Sequence, residues 1–301
     1  MNVGFGELAA MATAFSWGVS TQIQGAVGRL VGSTGVTLLR MPYQIFFVTL
    51  LCLVMRVDTH LTWPGFGYLF LSGLFGLFLS DYLLYQAIGI IGPPMAILIL
   101  STSTLFSVVF GWIFLGETMP AKALAGIGIT LAGILLVITE RTGSTLMPGQ
   151  ERPQGRMLLI GALASAGAAM AMSCSFICLK MGMKTGIDPL WATFVRLING
   201  ALALWLVGAV RGWVNAIRRG LLQYPKVYWM LFLSTACGSA GLWLSSVAMN
   251  LAPVGIAATL IGLQPIAVTL IGAVWYKRRL TWRIIGGITV AFAGTATICL
   301  M

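Results

Sequence analysis

The chain has 301 residues, of which 58% are hydrophobic and only 8% are charged. Soluble domains carry roughly 25% charged residues, so a soluble fold of this composition would lack the polar side chains to cover its surface. The 18 Lys and Arg residues outnumber the 7 Asp and Glu residues. They stand in short clusters between apolar runs, which is typical of a membrane protein and argues against nucleic-acid binding.

Runs of about 20 apolar residues are long enough to cross a bilayer as helices. No run has the period-two alternation of a membrane barrel. The predicted fold class is therefore all-α, a polytopic membrane protein with ten transmembrane helices. In chain order, the predicted spans are 5–27, 33–55, 64–89, 93–115, 121–139, 156–179, 188–210, 227–249, 253–275 and 282–300.

A polar segment rich in Pro and Gly, residues 140–155, interrupts the chain near its midpoint. It predicts a linker between two units, 1–139 and 156–301, each with five spans. An odd number of spans makes the second unit enter the membrane from the opposite side. The sequence therefore predicts two inverted five-helix repeats, a plan shared by many secondary transporters, whose substrate sites lie near the bilayer midplane.

The two units align with each other without gaps over long stretches. One constant shift superposes Gly126 on Gly287, and a slightly smaller shift before the second loop superposes Arg40 on Arg196. The two shifts differ because the loop that precedes the eighth span is longer than the loop that precedes the third.

The stretch Ser80–Thr118, SDYLLYQAIGIIGPPMAILILSTSTLFSVVFGWIFLGET, resembles the third and fourth helices of ten-span EamA-type members of the drug/metabolite transporter superfamily. The second copy, Gly238–Trp275, keeps the mid-helix Pro265 of that pattern. The resemblance covers both halves, with two departures. Thr104 stands where the family often has proline, and residues 277–279 (Lys-Arg-Arg) stand where Gly-Glu is usual.

The resemblance implies a secondary transporter that moves a small organic metabolite by alternating access. The expected substrate is an amino acid, a related carboxylate or an amphipathic compound, and export is the expected direction. An importer or exchanger of small organic anions is the alternative, and a membrane-embedded enzyme or a passive channel is less favoured. The expected location is a bacterial inner (plasma) membrane. The sequence leaves the oligomeric state open, with a monomer as one alternative.

The chain contains no motif for direct use of ATP or for common hydrolytic chemistry. Neither a GxxxxGK[ST] loop nor HExxH nor GxSxG occurs in it. The five cysteines lie in apolar runs, and the single histidine, His60, stands beside Asp58 in a loop. We therefore expect no catalytic residues, no metal site and no cofactor.

Few ionisable residues lie inside the predicted spans, where each charge costs roughly 2.5–3.5 kcal/mol on insertion scales. Arg40 in the second span and Asp81 in the third lie at similar depth from one membrane face, because these spans run antiparallel. We expect an ion pair between them. Asp81 either exchanges a proton during transport or serves only to neutralise Arg40.

Arg196 is the counterpart of Arg40 in the second half, but the counterpart of Asp81 is Leu242. Arg196 therefore lacks the equivalent acid. One hypothesis is that its guanidinium binds a substrate carboxylate or another anion. The alternative is that it extends to the interface or binds backbone carbonyls near Lys180 or Glu117.

Aromatic, amide and hydroxyl side chains surround these charges along the chain, a combination suited to a pocket for a small organic molecule. Each of them, taken alone, is equally typical of helix packing. The predicted substrate-binding residues are Trp17, Arg40, Tyr43, Gln44, Asp81, Tyr82, Tyr85, Ser101, Arg196, Asn199, Trp243 and Gln264.

The orientation of the chain in the membrane has two conflicting signals. Most Lys and Arg residues fall in the loops that follow the odd-numbered spans. The positive-inside rule then places both termini outside, whereas the family resemblance implies cytoplasmic termini.

Overall fold

A computed structural model describes residues 4–31, 33–91, 93–144, 155–212, 226–275 and 281–299. Within these ranges the chain forms ten helices, and three of them change geometry along their length. They are α1 (Phe5–Val31), α2 (Ser33–Met55), α3 (Trp63–Ser72, a π-helical segment Gly73–Ser80, then Asp81–Ile91), α4 (Pro93–Leu100 and Ser103–Leu115), α5 (Ala121–Ser144), α6 (Arg156–Met183), α7 (Pro189–Val210), α8 (Lys226–Leu251), α9 (Val254–Ile261 and Gln264–Trp275) and α10 (Trp282–Cys299).

Local sequence signals explain several of the helix ends. Thr62 caps α3, accepting a hydrogen bond from the backbone N–H of Gly65. Asp188 caps α7 in the same way, with a distance of 2.7 Å from the backbone N of Leu190 to its Oδ1. Such side chains satisfy backbone donors that have no partner within the helix. Gly116 ends α4 with a left-handed φ of 66°, which glycine adopts without steric cost.

The described chain is all-α and crosses the membrane many times. Seven of its helices are long and apolar enough to span a bilayer, and the apolar parts of α5 and α10 (121–137 and 282–298) are shorter. The predicted first span, α1, is not among these seven. Its C-terminal half carries polar side chains, including Gln22 and Gln24, that bond within the protein. α1 is therefore long enough to span a bilayer but less apolar than those seven helices.

The predicted linker, residues 140–155, overlaps the end of α5. α5 continues past residue 139 to Ser144, so the first part of the predicted linker is helical. Residues 145–154 of that linker lie outside the described residues. The remaining boundary prediction is compatible with α6, which begins at Arg156.

Contacts between helix ends establish the opposite orientations of the two halves. A Cβ on Gly6, at the start of α1, would lie 3.1 Å from the Cβ of Ala252, just after the end of α8. Glu117, after the end of α4, bonds both Lys180 near the end of α6 and Val254 after α8. The start of α1 and the end of α6 thus share one membrane face, which we call the Glu117 face. Since α6 ends there, it begins at the opposite face, and the two halves are inverted.

The halves interlock rather than sit side by side. The first helix of each half packs along the third helix of the other, α1 on α8 and α6 on α3, while the two last helices, α5 and α10, pack on each other. Glycines bring α5 and α10 together. A Cβ on Gly126 would lie 3.0 Å from the carbonyl oxygen of Gly294, and a Cβ on Gly133 would lie 2.6 Å from that of Gly287. Small residues at this seam permit close backbone approach in lipid.

Candidate functional site

The π-helical segment of α3 packs against both α6 and α7. A Cβ on Gly73 would lie 3.1 Å from the backbone nitrogen of Gly200 on α7, and a Cβ on Gly200 would lie 2.6 Å from the Cβ of Leu77. Both glycines are therefore required by backbone proximity. π-Helical turns inside α-helices occur frequently at functional sites, and Asp81 follows directly after this one.

Two serines connect this segment to α6 through reciprocal hydrogen bonds. Ser72 donates to the carbonyl oxygen of Ser175 at 2.9 Å, and Ser175 donates to that of Ser72 at 2.8 Å. Ser80 also donates to the carbonyl oxygen of Ala168 on α6, at 3.0 Å. Each bond crosses between halves, so α3 and α6 are held in one register at this depth.

Arg40 on α2 forms an ion pair with Asp81 on α3 through its Nη2 atom. Both side chains are mostly buried, with 16% and 15% of their surface exposed. The Nε of Arg40 has no hydrogen-bond partner among the described residues, and Tyr85 on the same helix as Asp81 interacts electrostatically with the guanidinium. Whether this pair takes part in transport stays a prediction.

Arg196 on α7 has a different environment from Arg40. Only 2% of it is exposed, and its Nη2 donates one hydrogen bond, 3.2 Å long, to the Oγ of Ser175. Its Nε and Nη1 atoms have no hydrogen-bond partner among the described residues. The burial excludes extension of this side chain to the interface. Asp81, the ion-pair partner of Arg40, also interacts electrostatically with Arg196.

Three of the remaining predicted residues, all aromatic, lie on α8 or pack against it. Trp17 packs on α8, where a Cβ on Gly241 would lie 2.7 Å from its Nε1 atom. Trp243 is half-buried against the same apolar cluster as Trp17. Tyr43 packs edge-on to Phe232, with ring centroids 6.3 Å apart.

Gln44 is the most buried amide among the predicted site residues, with 4% of its surface exposed. Its Oε1 atom has no hydrogen-bond partner among the described residues, and a Cβ on Gly238 of α8 would lie 3.5 Å from its Nε2. Asn199, half-buried on α7, has no hydrogen bond recorded within the described part of the chain.

Three predicted residues lie apart from the arginine–aspartate group. Ser101 donates to the carbonyl oxygen of Ile97 in its own helix, at 3.0 Å, as expected where α4 changes geometry. Tyr82 stacks on Phe78 and lies under the guanidinium of Arg211, whose Cζ is 5.6 Å from the ring centroid.

Gln264, at the break in α9, instead contacts α1. Its Nε2 donates to Thr21 Oγ1 at 3.0 Å, and Gln22 Nε2 donates to the carbonyl oxygen of Val268 at 2.6 Å. These bonds form a polar seam between α1 and α9. The predicted residues therefore do not converge on one point.

A second charged group, at the Glu117 face, was not among the predicted site residues. Lys180 Nζ lies 2.6 Å from Glu117 Oε1 and donates to the carbonyl oxygen of Ala252, also at 2.6 Å. The backbone N–H of Val254 donates to Glu117 Oε2 at 2.7 Å and so caps α9. The signal was available, because Glu117 and Lys180 are lone charges at the ends of apolar helices and needed partners.

Among the described residues, no group of three or more His, Cys, Asp or Glu side chains is placed to hold a metal ion. The arrangement instead consists of interlocked helices with a few charged side chains inside, an architecture typical of membrane carriers.

Comparison with known proteins identifies the family. The model of the EamA-like transporter family matches residues 4–139 and again residues 159–300, so the chain belongs to this family. Membership of this family places the chain in the drug/metabolite transporter superfamily. These matches point to a transporter rather than an enzyme.

Two individual proteins are similar to this chain. The uncharacterized transporter YvbV of Bacillus subtilis (strain 168) is 25% identical over 138 residues, which make up 45% of this chain and 39% of that relative. The chain thus matches well under two thirds of the relative's length. A solved crystal structure has the same fold, with a TM-score of 0.76 at 16% identity, covering 99% of this chain and 97% of the other.

Proposed function

We propose that the protein is a secondary transporter that moves a small organic metabolite across a bacterial inner (plasma) membrane by alternating access. The observation that carries this proposal is the set of contacts that interlock the helices, α1 on α8, α6 on α3 and α5 on α10. The proposal treats residues 1–139 and 156–301 as two inverted five-helix units. Inverted repeats give a molecule two conformations of similar energy, in which the roles of the two halves are exchanged. Each conformation would open the site to one side of the membrane.

The Glu117–Lys180 pair supports a gate at one end of the pathway. Glu117 belongs to the first half, whereas Lys180, Ala252 and Val254 belong to the second. Opening the Glu117 face requires these bonds to break.

The substrate site in this proposal lies around Arg40, Asp81 and Arg196, at the π-helical segment of α3. The half-buried ring of Tyr85 and other predicted residues would contact the organic part of the substrate. An amino acid, a related carboxylate or an amphipathic compound fits such a mixture of charge and aromatic surface. Export is the proposed direction, which follows from the family resemblance; import or exchange of small organic anions is the alternative.

Liposome exchange tests this proposal. Purified protein would be reconstituted in liposomes preloaded with unlabelled metabolites, and entry of the labelled metabolite would be followed over time. A carrier gives saturable uptake that is accelerated by substrate inside. Flux that rises linearly with concentration and ignores the internal solute would indicate a pore and would overturn the proposal.

Crosslinking across the Glu117 face tests whether this face opens during transport, and the single-cysteine variants are its controls. In a variant whose five cysteines are replaced, Glu117→Cys and Lys180→Cys would be joined by a short bifunctional thiol reagent. We expect the joined protein to lose exchange, while each single cysteine treated alike retains it. Full exchange in the joined protein would contradict opening at this face.

A further inference from the structure

Three ionisable side chains on α2, α3 and α7 interact electrostatically and together carry one uncompensated positive charge. Arg40 and Arg196 contribute two guanidinium groups, and Asp81, which interacts with both, contributes one carboxylate. The ion pair of Lys180 with Glu117, by contrast, is balanced. We call Arg40, Asp81 and Arg196 the central triad.

The imbalance falls on Arg196, whose buried donors are incompletely satisfied. Its single bond goes to a neutral hydroxyl, that of Ser175, while Nε and Nη1 remain unpaired among the described residues. Leaving a buried donor unpaired costs about 1–3 kcal/mol, and more for a charged group. Helix packing alone does not explain a buried guanidinium here, because a shorter apolar side chain would pack without leaving donors unpaired. A negative charge beside the triad would offset the part of this cost that comes from the unbalanced charge of the guanidinium.

The surroundings of Arg196 restrict the side from which such an anion approaches. A Cβ on Gly76 would lie 3.2 Å from the Nη2 of Arg196, so α3 covers the guanidinium closely. Arg196 is 2% exposed, whereas the side chains of Arg40 and Asp81 are 16% and 15% exposed. The accessible edge of the triad is therefore the edge formed by Arg40 and Asp81.

We propose that the central triad binds one carboxylate group of the transported molecule, so that the substrate crosses as a monoanion. This inference rests on the proposed transport function and specifies its substrate class. A single negative charge neutralises the net charge of the triad. A dianion would leave an excess negative charge in a site of low dielectric constant, and a cation would be repelled.

Binding to the wild-type protein gives the first test. Carboxylic acids, each paired with its primary amide, would be screened by thermal unfolding in detergent. The set would include phenylacetate with phenylacetamide, N-acetylphenylalanine with its amide, and succinate as a dianion. Ligands that bind the folded state raise its melting temperature. We expect monoanions to stabilise the protein and to bind at least about tenfold more tightly than their amides or the dianion.

Two charge-removing variants give the second test, because they should change affinity in opposite directions. Arg196→Gln reduces the net charge of the triad to zero, and Asp81→Asn raises it. With the best monoanion from the screen, titration calorimetry should show about tenfold weaker binding to Arg196→Gln and tighter binding to Asp81→Asn. Arg156→Gln, at the exposed start of α6, is the matched control and should leave the affinity unchanged.

The outcomes separate this inference from the proposed function. Equal losses in both variants would indicate a structural role and overturn the inference, as would equal binding of acid and amide or no binding of any acid to the wild type. If Asp81→Asn does not fold, the acid–amide comparison and Arg196→Gln still decide. Saturable exchange of a neutral or cationic compound would refute the monoanion alone, whereas absence of saturable exchange of any compound would refute transport.

Discussion

Arg40 and Arg196 occupy equivalent positions in the two halves, yet one has a counter-ion and the other does not. Arg40 pairs with Asp81 within its own half. The position equivalent to Asp81 is Leu242, which is 5% exposed in an apolar cluster, so Arg196 relies on Ser175 from α6 and on the shared field of Asp81. The repeat preserves the backbone plan but not the charge balance.

The difference in counter-ions between Arg40 and Arg196 indicates where the two halves differ in function. Symmetric features, such as the glycine contacts between α5 and α10, satisfy a packing requirement that is the same in both halves. The asymmetric charges satisfy no such requirement and are costly in lipid. We therefore expect changes to the glycine contacts to act on stability alone, and changes to Arg40, Asp81 or Arg196 to act on both stability and substrate binding.

Asp81→Asn should have the largest effect on stability, because it leaves Arg40 and Arg196 without a carboxylate. Removing one partner of a buried ion pair costs about 3–5 kcal/mol. Unfolding in mixed micelles with increasing denaturant would measure the loss. Asp58→Asn, in the exposed loop after α2, should change stability by less than about 0.5 kcal/mol. Equal stability of both variants would show that the paired side of the comparison contributes nothing.

Glu117→Gln tests a balanced pair against the unbalanced triad. The amide oxygen still accepts from the backbone N–H of Val254, but Lys180 loses its counter-ion and keeps only the carbonyl of Ala252. Hydrogen bonds to charged groups contribute about 1.5–3 kcal/mol, and a loss of this size is expected in the same unfolding assay. Lys122→Gln, an exposed residue of the following helix, is the control. If Glu117→Gln lost no more unfolding free energy than Lys122→Gln, a structural role for the pair would be contradicted.

Gly76→Ala should destabilise the Arg196 side by crowding it. The added methyl would collide with the hydroxyl of Ser175 and lie 3.2 Å from the Nη2 of Arg196. Overpacking of this kind costs about 1–3 kcal/mol. Gly67→Ala in the same helix is the matched control, because a Cβ there meets nothing within 4 Å. If both variants were equally stable, α3 would not pack on Arg196 as described.

Ser175→Ala combined with Gly76→Ala should show the smallest effect, a coupling of about 0.5–3 kcal/mol. Removing the hydroxyl of Ser175 relieves part of the collision, so the double variant should be more stable than the sum of the single variants indicates. A double-mutant cycle from the four unfolding curves measures this term. Strict additivity would place Ser175 away from Gly76.

The sequence predicted the ten helices closely because each lipid-facing segment must satisfy its own backbone hydrogen bonds, which favours a helix for every long apolar run. It also singled out Arg40, Asp81 and Arg196, since charges are rare in such runs. It placed the end of α5 too early, because the polar residues after 139 permit helix continuation in water as well as a linker.

Local sequence did not predict how the helices are rotated about their axes. Ser101 and Gln264 lay at suitable depths, but Ser101 bonds its own helix and Gln264 contacts Thr21 on α1. The direction of each side chain depends on packing against several other helices, which no single stretch of sequence specifies.

The amino-acid sequence by itself determined the membrane class, the two-unit plan and the shortage of acids around Arg196, because composition and spacing report directly on lipid burial. The tertiary structure alone decided that Arg196 is enclosed by the π-helical segment of α3, that Ser175 is its hydrogen-bond partner, and that Glu117 and Lys180 join the halves. These features depend on distances between residues far apart in the chain, and those distances follow from close packing of the helices.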